Sequence, residues 1–292
     1  MGSFFGGLLS TRHDVLLIGR KEHVDAVNAH GLRIAGKTVR LAKPRAGTRI
    51  PGTANPDLVI VSTKSYDTAA AMERMRRFRG TAVFLTLQNG LDNPDVIART
   101  ASRVVAGTTA HGVTFVGPGE IRHAGVGDTM IGAWQGVRDA DVVRIRDVLE
   151  DAGIPTRIAR DIRSELWAKL VVNASINPLA ALAGVPNGRL VQDPGLRRLL
   201  EDVCRETAAI ARAAGVRVDE EDLVRRTLLV ARRTAANRAS MLQDLDRGRR
   251  TEIDAISGAA LRAADRVGVD APLNRALFAL VTARERALLG PD

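Results

Sequence analysis

The sequence is short of several things, and each shortage excludes something. Its 292 residues hold one cysteine, Cys204, so no intrachain disulfide can form, which suits a reducing cytoplasm. Aromatic residues make up 3% of the chain, too few to offer stacking platforms for bases. Only five of the 43 basic residues are lysines: Lys21, Lys37, Lys43, Lys64 and Lys169. With 33 acidic residues the formal charge is +10, yet the two signs are interspersed and form no patch. Such a field suits an anionic small substrate or cofactor as well as a nucleic acid, and no nucleic-acid partner is expected. Five scattered histidines beside one cysteine provide no metal-ligand spacing, so no metal is expected. No apolar run approaches the ~18–20 residues of a membrane span, and no membrane partner is expected. The apolar stretch at the N-terminus has no basic run ahead of it, which argues against a secretory signal and for a cytoplasmic protein. What remains is an ordinary globular composition, 45% hydrophobic and 26% charged, long enough for two domains.

The chain reads as two regions. Residues 1–158 alternate strand-like and helix-like segments. Apolar bursts at Asp14–Gly19, Asp57–Ser62, Ala82–Leu87 and Arg103–Gly107 suggest strands, with helices at Glu22–Ala29 and Thr68–Arg79 between them. That alternation implies an α/β, doubly wound parallel sheet. Leu32–Ile34 with Val39–Ala42, and Val113–Val116 with Glu120–Ala124, read as hairpins, and Thr129–Ala133 as a further strand. Ala140–Ala152 and Thr156–Ala159 close this half. Residues 159–292 carry apolar residues at helical spacing in Arg160–Leu182, Pro194–Ala214, Glu220–Ala235, Thr251–Val267 and Leu273–Leu289, an all-α domain. Ile158–Ile162 has no Gly/Ser run, so firm packing of the two halves is expected.

Five places carry candidate chemistry. The chain opens Met1-Gly2-Ser3-Phe4-Phe5-Gly6-Gly7, which is similar to the last glycine of a Rossmann G-x-G-x-x-G fingerprint and the helix after it. The first strand and first two glycines of such a unit are not in this sequence, so the Rossmann-type sheet is N-terminally incomplete. A misassigned start, with Met1 inside the fingerprint loop, is the expectation; a real truncation with impaired cofactor binding is the alternative. After Leu16–Ile18, Arg20 stands where an NAD enzyme would place a carboxylate. Its guanidinium would favour a 2′-phosphate and hence NADP(H), unless it merely starts a solvated helix. Lys64 and Asn89 each follow a strand, at the sheet edge where open α/β folds bind ligands, although Asn89-Gly90 is also a common turn pair. Lys169, Asn173 and Asn177 recur at i, i+4 and i+8, one polar stripe on an otherwise apolar helix that also contains Pro178. A buried stripe of this kind needs partners, whereas a solvent-facing one does not. Finally, Ser240 begins a run ending at Gly248, and Glu252 follows. Glu252 either faces Lys169 or complements the start of a helix.

Together these residues carry a resemblance. Leu87-Gln88-Asn89-Gly90, Trp167-Ala168-Lys169 with Asn173 and Asn177, and Ser240-Met241-x-Gln243-Asp244 before Gly248-Arg249-x-Thr251-Glu252-Ile253-Asp254 resemble the ketopantoate reductase family. Thr108-Thr109-Ala110-His111-Gly112 and Pro118-Gly119-x-x-x-His123 are similar too. The blocks span nearly the whole chain in order. The resemblance implies NADPH-dependent reduction of 2-dehydropantoate to pantoate, toward pantothenate and coenzyme A, by a Rossmann domain followed by an all-α domain with the site in the cleft between them. It makes Lys169 the general acid. Asn173 and Asn177 would bind the substrate's hydroxyl end, Ser240 its carboxylate, and Asn89 and Lys64 the cofactor near the reacting centre. Gly2 and Arg20 would hold the cofactor, and Glu252 would complete the polar network. It leaves room for a homodimer. A related reductase of another keto acid, or a non-catalytic NADP-binding protein, are the alternatives.

Overall fold

A computed structural model describes residues 1–290. The chain divides into two compact units, Met1–Gln88 with Asn93–Ile162, and Asn89–Asp92 with Arg163–Asp292. The division falls inside the first turn of a helix, which is why no flexible linker marks it in the sequence.

The first unit runs α1 (Gly2–Leu9), β1 (Leu16–Ile18), α2 (Lys21–His30), β2 (Leu32–Gly36), β3 (Arg40–Ala42), β4 (Arg45–Gly47), β5 (Leu58–Val61), α3 (Thr68–Arg74), β6 (Val83–Thr86) and α4 (Asn93–Ala98). It continues with β7 (Val104–Thr109), β8 (Gly112–Gly117), β9 (Glu120–Gly125), β10 (Thr129–Gln135), α5 (Asp139–Asp151) and β11 (Thr156–Ile158). A five-stranded sheet has the order β11-β10-β7-β6-β5. β5, β6 and β7 are parallel, as the α/β alternation predicts, but β10 runs antiparallel to β7. The two hairpins do not stand apart. β2 pairs in parallel with β9 and joins them into one sheet of order β3-β2-β9-β8. β1 pairs in parallel with β4, a strand too short and too basic, Arg45–Gly47, to be foreseen from hydrophobic pattern.

α1 is held close to these sheets by its glycines. A Cβ on Gly7 would lie 2.8 Å from Leu32 Cδ2, so a larger residue there would have to push that buried side chain aside. The rings of His111 and His123 pack on Phe4, with centroids 5.1 and 4.5 Å away. His123 Nε2 lies 3.1 Å from His111 Nδ1, and its Nδ1 lies 2.9 Å from Thr38 Oγ1. Burial pushes both imidazoles below the ordinary histidine value, so this contact is made by neutral rings at pH 7.

The second unit is helical. It contains α6 (Ile162–Ala183), α7 (Arg189–Gln192), α8 (Pro194–Ala213), α9 (Glu220–Arg233), α10 (Ser240–Asp246), α11 (Ala259–Val267) and α12 (Pro272–Leu289). α8 starts on a capped turn, with Asp193 Oδ1 accepting from the N–H groups of Gly195 and Leu196 at 2.9 Å and Pro194 in the first helical position. The first turn of α12 is capped at long range, because Glu206 of α8 accepts from the N–H groups of Leu273 and Asn274 at 2.9 and 2.8 Å.

α6 is the axis of this unit. Leu170, Val171, Ala174, Ile176 and Ala180 are buried, and the helix continues through Pro178, although that residue has no N–H for the carbonyl of Ala174. Contrary to the expectation from apolar run length, α6 is long and apolar enough to cross a membrane, with a mean hydropathy of 1.3 over its best 18-residue window. That window is 78% buried within the protein, because its apolar residues form a core.

Candidate active site

The stripe on α6 lies where core meets surface. Lys169 and Asn173 are half-buried, and Asn177 is 7% exposed. Among the described residues, none of these three side chains makes a hydrogen bond or ion pair within the protein. Three polar groups in one row on a core helix, without hydrogen bonds among the described residues, leave donors and acceptors unused within the protein. The desolvation of Lys169 pushes its pKa down to about 8, while the negative charge of Glu252 opposes that fall.

Glu252 is 8% exposed and is held from several directions. Gly248 adopts φ +57 after α10, and the chain turns back. Thr251 is then pinned, its N–H donating to Glu285 Oε1 at 2.5 Å and its hydroxyl oxygen accepting from the N–H of Ile253 at 3.1 Å. Glu252 follows, and its carbonyl accepts from the N–H of Ile256 at 3.0 Å. The next turn, Asp254–Gly258, is π-helical, an insertion that re-aims the side chains around it. Asn89 Nδ2 donates to Glu252 Oε2 at 3.1 Å. The structure therefore joins Asn89, Glu252 and Lys169 into one group.

Asn89 arrives on a short loop that belongs with the helical unit. Gly90 has φ +93, and a Cβ there would lie 2.5 Å from the carbonyl oxygen of Ala255. Both the backbone angle and the close approach require glycine. Gly90→Ala is expected to lower Tm by several degrees and kcat by about 3- to 10-fold, through displacement of Asn89. Thermal unfolding together with steady-state kinetics checks this, and a wild-type kcat would detach the loop from the site.

The remaining candidates are placed as follows. Lys64 is half-buried just after β5, at the head of the short turn Ser65–Asp67. Beside it lies a network that sequence reasoning missed. Gln88 Nε2 donates to the Thr63 carbonyl and to Thr68 Oγ1, each at 2.8 Å, and Thr68 Oγ1 donates to Asn93 Oδ1 at 2.9 Å. It rigidifies the carboxyl ends of β5 and β6, and the polar run Gln88-Asn89 after an apolar strand was its available signal. Gly2 opens α1, and a Cβ there would lie 2.3 Å from Ser62 Oγ. Arg20 is exposed at the head of α2 after β1, and among the described residues its guanidinium has no ion pair. Lys21 next to it is already bound to Asp25 at 2.6 Å. Ser240 is exposed at the first position of α10, and no hydrogen bond joins it to the Asn89–Glu252 group. Glu285 was also missed. Its spacing from Leu277 and Val281, i+8 and i+4 on one buried face, is the signal that could have shown it.

Fold and site define a class: a Rossmann-like α/β unit followed by an all-helical unit that carries a desolvated lysine, a carboxylate and amides. Two family models match, described as Ketopantoate reductase PanE/ApbA over residues 1–136 and Ketopantoate reductase PanE/ApbA C terminal over residues 161–285. The 2-dehydropantoate 2-reductase of Halobacterium salinarum is 40% identical, over 98% of this chain and 96% of that protein. That of Pyrococcus horikoshii is 38% identical, over 98% and 94%. Among solved structures, a PanE/ApbA family ketopantoate reductase from Ralstonia eutropha superposes with a TM-score of 0.89 at 33% identity, covering 97% of this chain and 95% of that one. A D-mandelate dehydrogenase solved with NADH and anilino(oxo)acetate reaches 0.93 at 25% identity, covering 99% and 96%. The chain belongs to the ketopantoate reductase family.

Proposed function

We propose that this protein is an NADPH-dependent oxidoreductase that reduces 2-dehydropantoate to pantoate, a step toward pantothenate and coenzyme A. The relatives named 2-dehydropantoate 2-reductase, similar over nearly their whole length, support the reaction. The observation that carries the mechanism is the half-buried Lys169 with its pKa near 8 beside the charge of Glu252.

The residues of the first unit fit the cofactor. Arg20, without an ion pair of its own, would take the 2′-phosphate through its planar fork of donors. The head of α1 at Gly2 would receive the diphosphate on backbone N–H groups, and Lys64 would lie toward the reacting end. NADPH, when bound, supplies the hydride.

Lys169 does the proton chemistry. As the keto carbon is reduced, negative charge develops on its oxygen, and the ammonium stabilises that charge and donates the proton. An ordinary lysine, near 10.4, would be a weaker acid; desolvation brings Lys169 closer to working pH. The Glu252 charge keeps enough of it protonated at pH 7. Asn173 and Asn177 are proposed to orient the substrate's hydroxyl end by hydrogen bonds, and Ser240 its carboxylate. A reducing, cytoplasmic setting suits this reading, with Cys204 free and buried.

The sign of the pH dependence follows. The acid is loaded below pH 8 and lost above it, so kcat/KM for reduction is expected to hold below about 8 and fall as pH rises through it. A basic limb near pH 10 would remove the desolvated lysine from the mechanism. The activity test is NADPH oxidation against a panel of 2-keto acids. The likeness to D-mandelate dehydrogenase favours a second reading, a reductase of an aryl-substituted 2-keto acid. A higher kcat/KM for phenylglyoxylate than for 2-dehydropantoate would select it.

A further inference from the structure

Arg262, on α11, lies outside every motif discussed so far, yet it makes a polar contact across 170 positions of the chain. Its Nη2 donates to Asp92 Oδ2 at 2.7 Å and to the Asp254 carbonyl at 3.0 Å, and its Nη1 donates to Asp254 Oδ1 at 2.9 Å. Asp92 ends the four-residue loop that begins with Asn89. Asp254 is two residues after Glu252 and starts the π-helical turn. One guanidinium thus ties both backbone segments that carry the Asn89–Glu252 hydrogen bond, one on each side of it. Gly90, packed on the Ala255 carbonyl, is the contact between these two anchor points.

We propose that Arg262 is a positioning residue: by clamping Asp92 to Asp254 it keeps Asn89 on the Glu252 carboxylate and so holds that carboxylate in place. The inference rests on the reading of Lys169 as the proton donor. Arg262, Asp92 and Asp254 are each substantially exposed, so their ion pairs add little to global stability. Geometry is what three short bonds from one planar group control. Slack in the loop would let Asn89 leave Glu252, loosen the carboxylate and weaken the charge that opposes the desolvation of Lys169. Its pKa would then fall further. Glu252 is the charge that acts on Lys169, and Asp92 and Asp254 are those that act on Arg262.

The test measures the pKa of Lys169 without turnover, by competitive acetylation with acetic anhydride from pH 6 to 11 and mass spectrometry of the Lys169 peptide. Steady-state kinetics with NADPH and 2-dehydropantoate run alongside. In wild type the labelling midpoint is expected near 8. Arg262→Gln is expected to lower it by about half a pH unit, to move the basic limb of kcat/KM by the same amount, and to reduce kcat by about 3- to 10-fold. Asp92→Ala cuts the same bond from the loop side and leaves Arg262 on Asp254, so it gives the readout even if Arg262→Gln folds poorly. The double variant is expected to add little to either single change, since both remove one contact. Arg262→Lys, which keeps the charge, is expected to recover part of kcat. A wild-type midpoint near 8 that stays put in both single variants would overturn the role of Arg262 and leave the reading of Lys169 intact. A wild-type midpoint near 10.5 would overturn that reading, and this inference with it.

Discussion

Lys169→Ala is expected to lower kcat by ~10²–10⁴-fold, the usual worth of a general acid, with KM for NADPH nearly unchanged. The argument is local. Lys169 is the one cation in the row on α6, it makes no bond within the described residues, and desolvation has brought it to a pKa of about 8. Removing it takes away both the proton and the positive charge at the oxygen where negative charge accumulates. Lys169→Arg separates these two contributions. It keeps the charge, but a guanidinium does not give up its proton near neutral pH, so kcat is expected to stay far below wild type. Added small alkylamines are expected to restore part of the activity of Lys169→Ala. Steady-state and single-turnover reduction measure all three. A Lys169→Ala enzyme at wild-type rate would end the mechanism, and full activity in Lys169→Arg would show that charge alone suffices.

Arg20→Ala is expected to raise KM for NADPH by about 10- to 100-fold and to leave KM for NADH nearly unchanged. That range is the ~1.5–3 kcal/mol of a lost charge-assisted bond. Arg20 stands at the carboxyl end of β1, exposed and without an ion pair, while Lys21 is engaged with Asp25. The bet is therefore on Arg20 and not on its neighbour. Arg20→Asp should go further and reverse the preference, because a carboxylate there accepts from ribose hydroxyls and repels a 2′-phosphate. Equal loss for both cofactors would assign Arg20 a role in folding. The D-mandelate dehydrogenase of similar fold was solved with NADH, the other nicotinamide cofactor.

Much of this was legible in the chain. Alternating apolar bursts gave the parallel β5-β6-β7 core, because a strand buried on both faces must be apolar throughout. The spacing of Lys169, Asn173 and Asn177 placed three polar groups on one face of α6 before any coordinates, because 3.6 residues per turn leaves no other arrangement. Arg20 was visible as a charge of the unexpected sign. Other features had no local signature. The parallel pairing of β2 with β9 joins segments more than 80 residues apart, and nothing in either hairpin announces the other. The antiparallel β10, the π-helical turn after Glu252 and the clamp of Arg262 on Asp92 are of the same kind.

The sequence by itself determined which residues could do chemistry and which helix face carries them, since side-chain type and helical period are properties of the chain alone. Only the tertiary structure decided what those residues are. It brought Asn89 within 3.1 Å of Glu252 across 163 positions and stripped enough water from Lys169 to push its pKa down to about 8. Desolvation and long-range contact arise from packing, and packing is not written in any one segment.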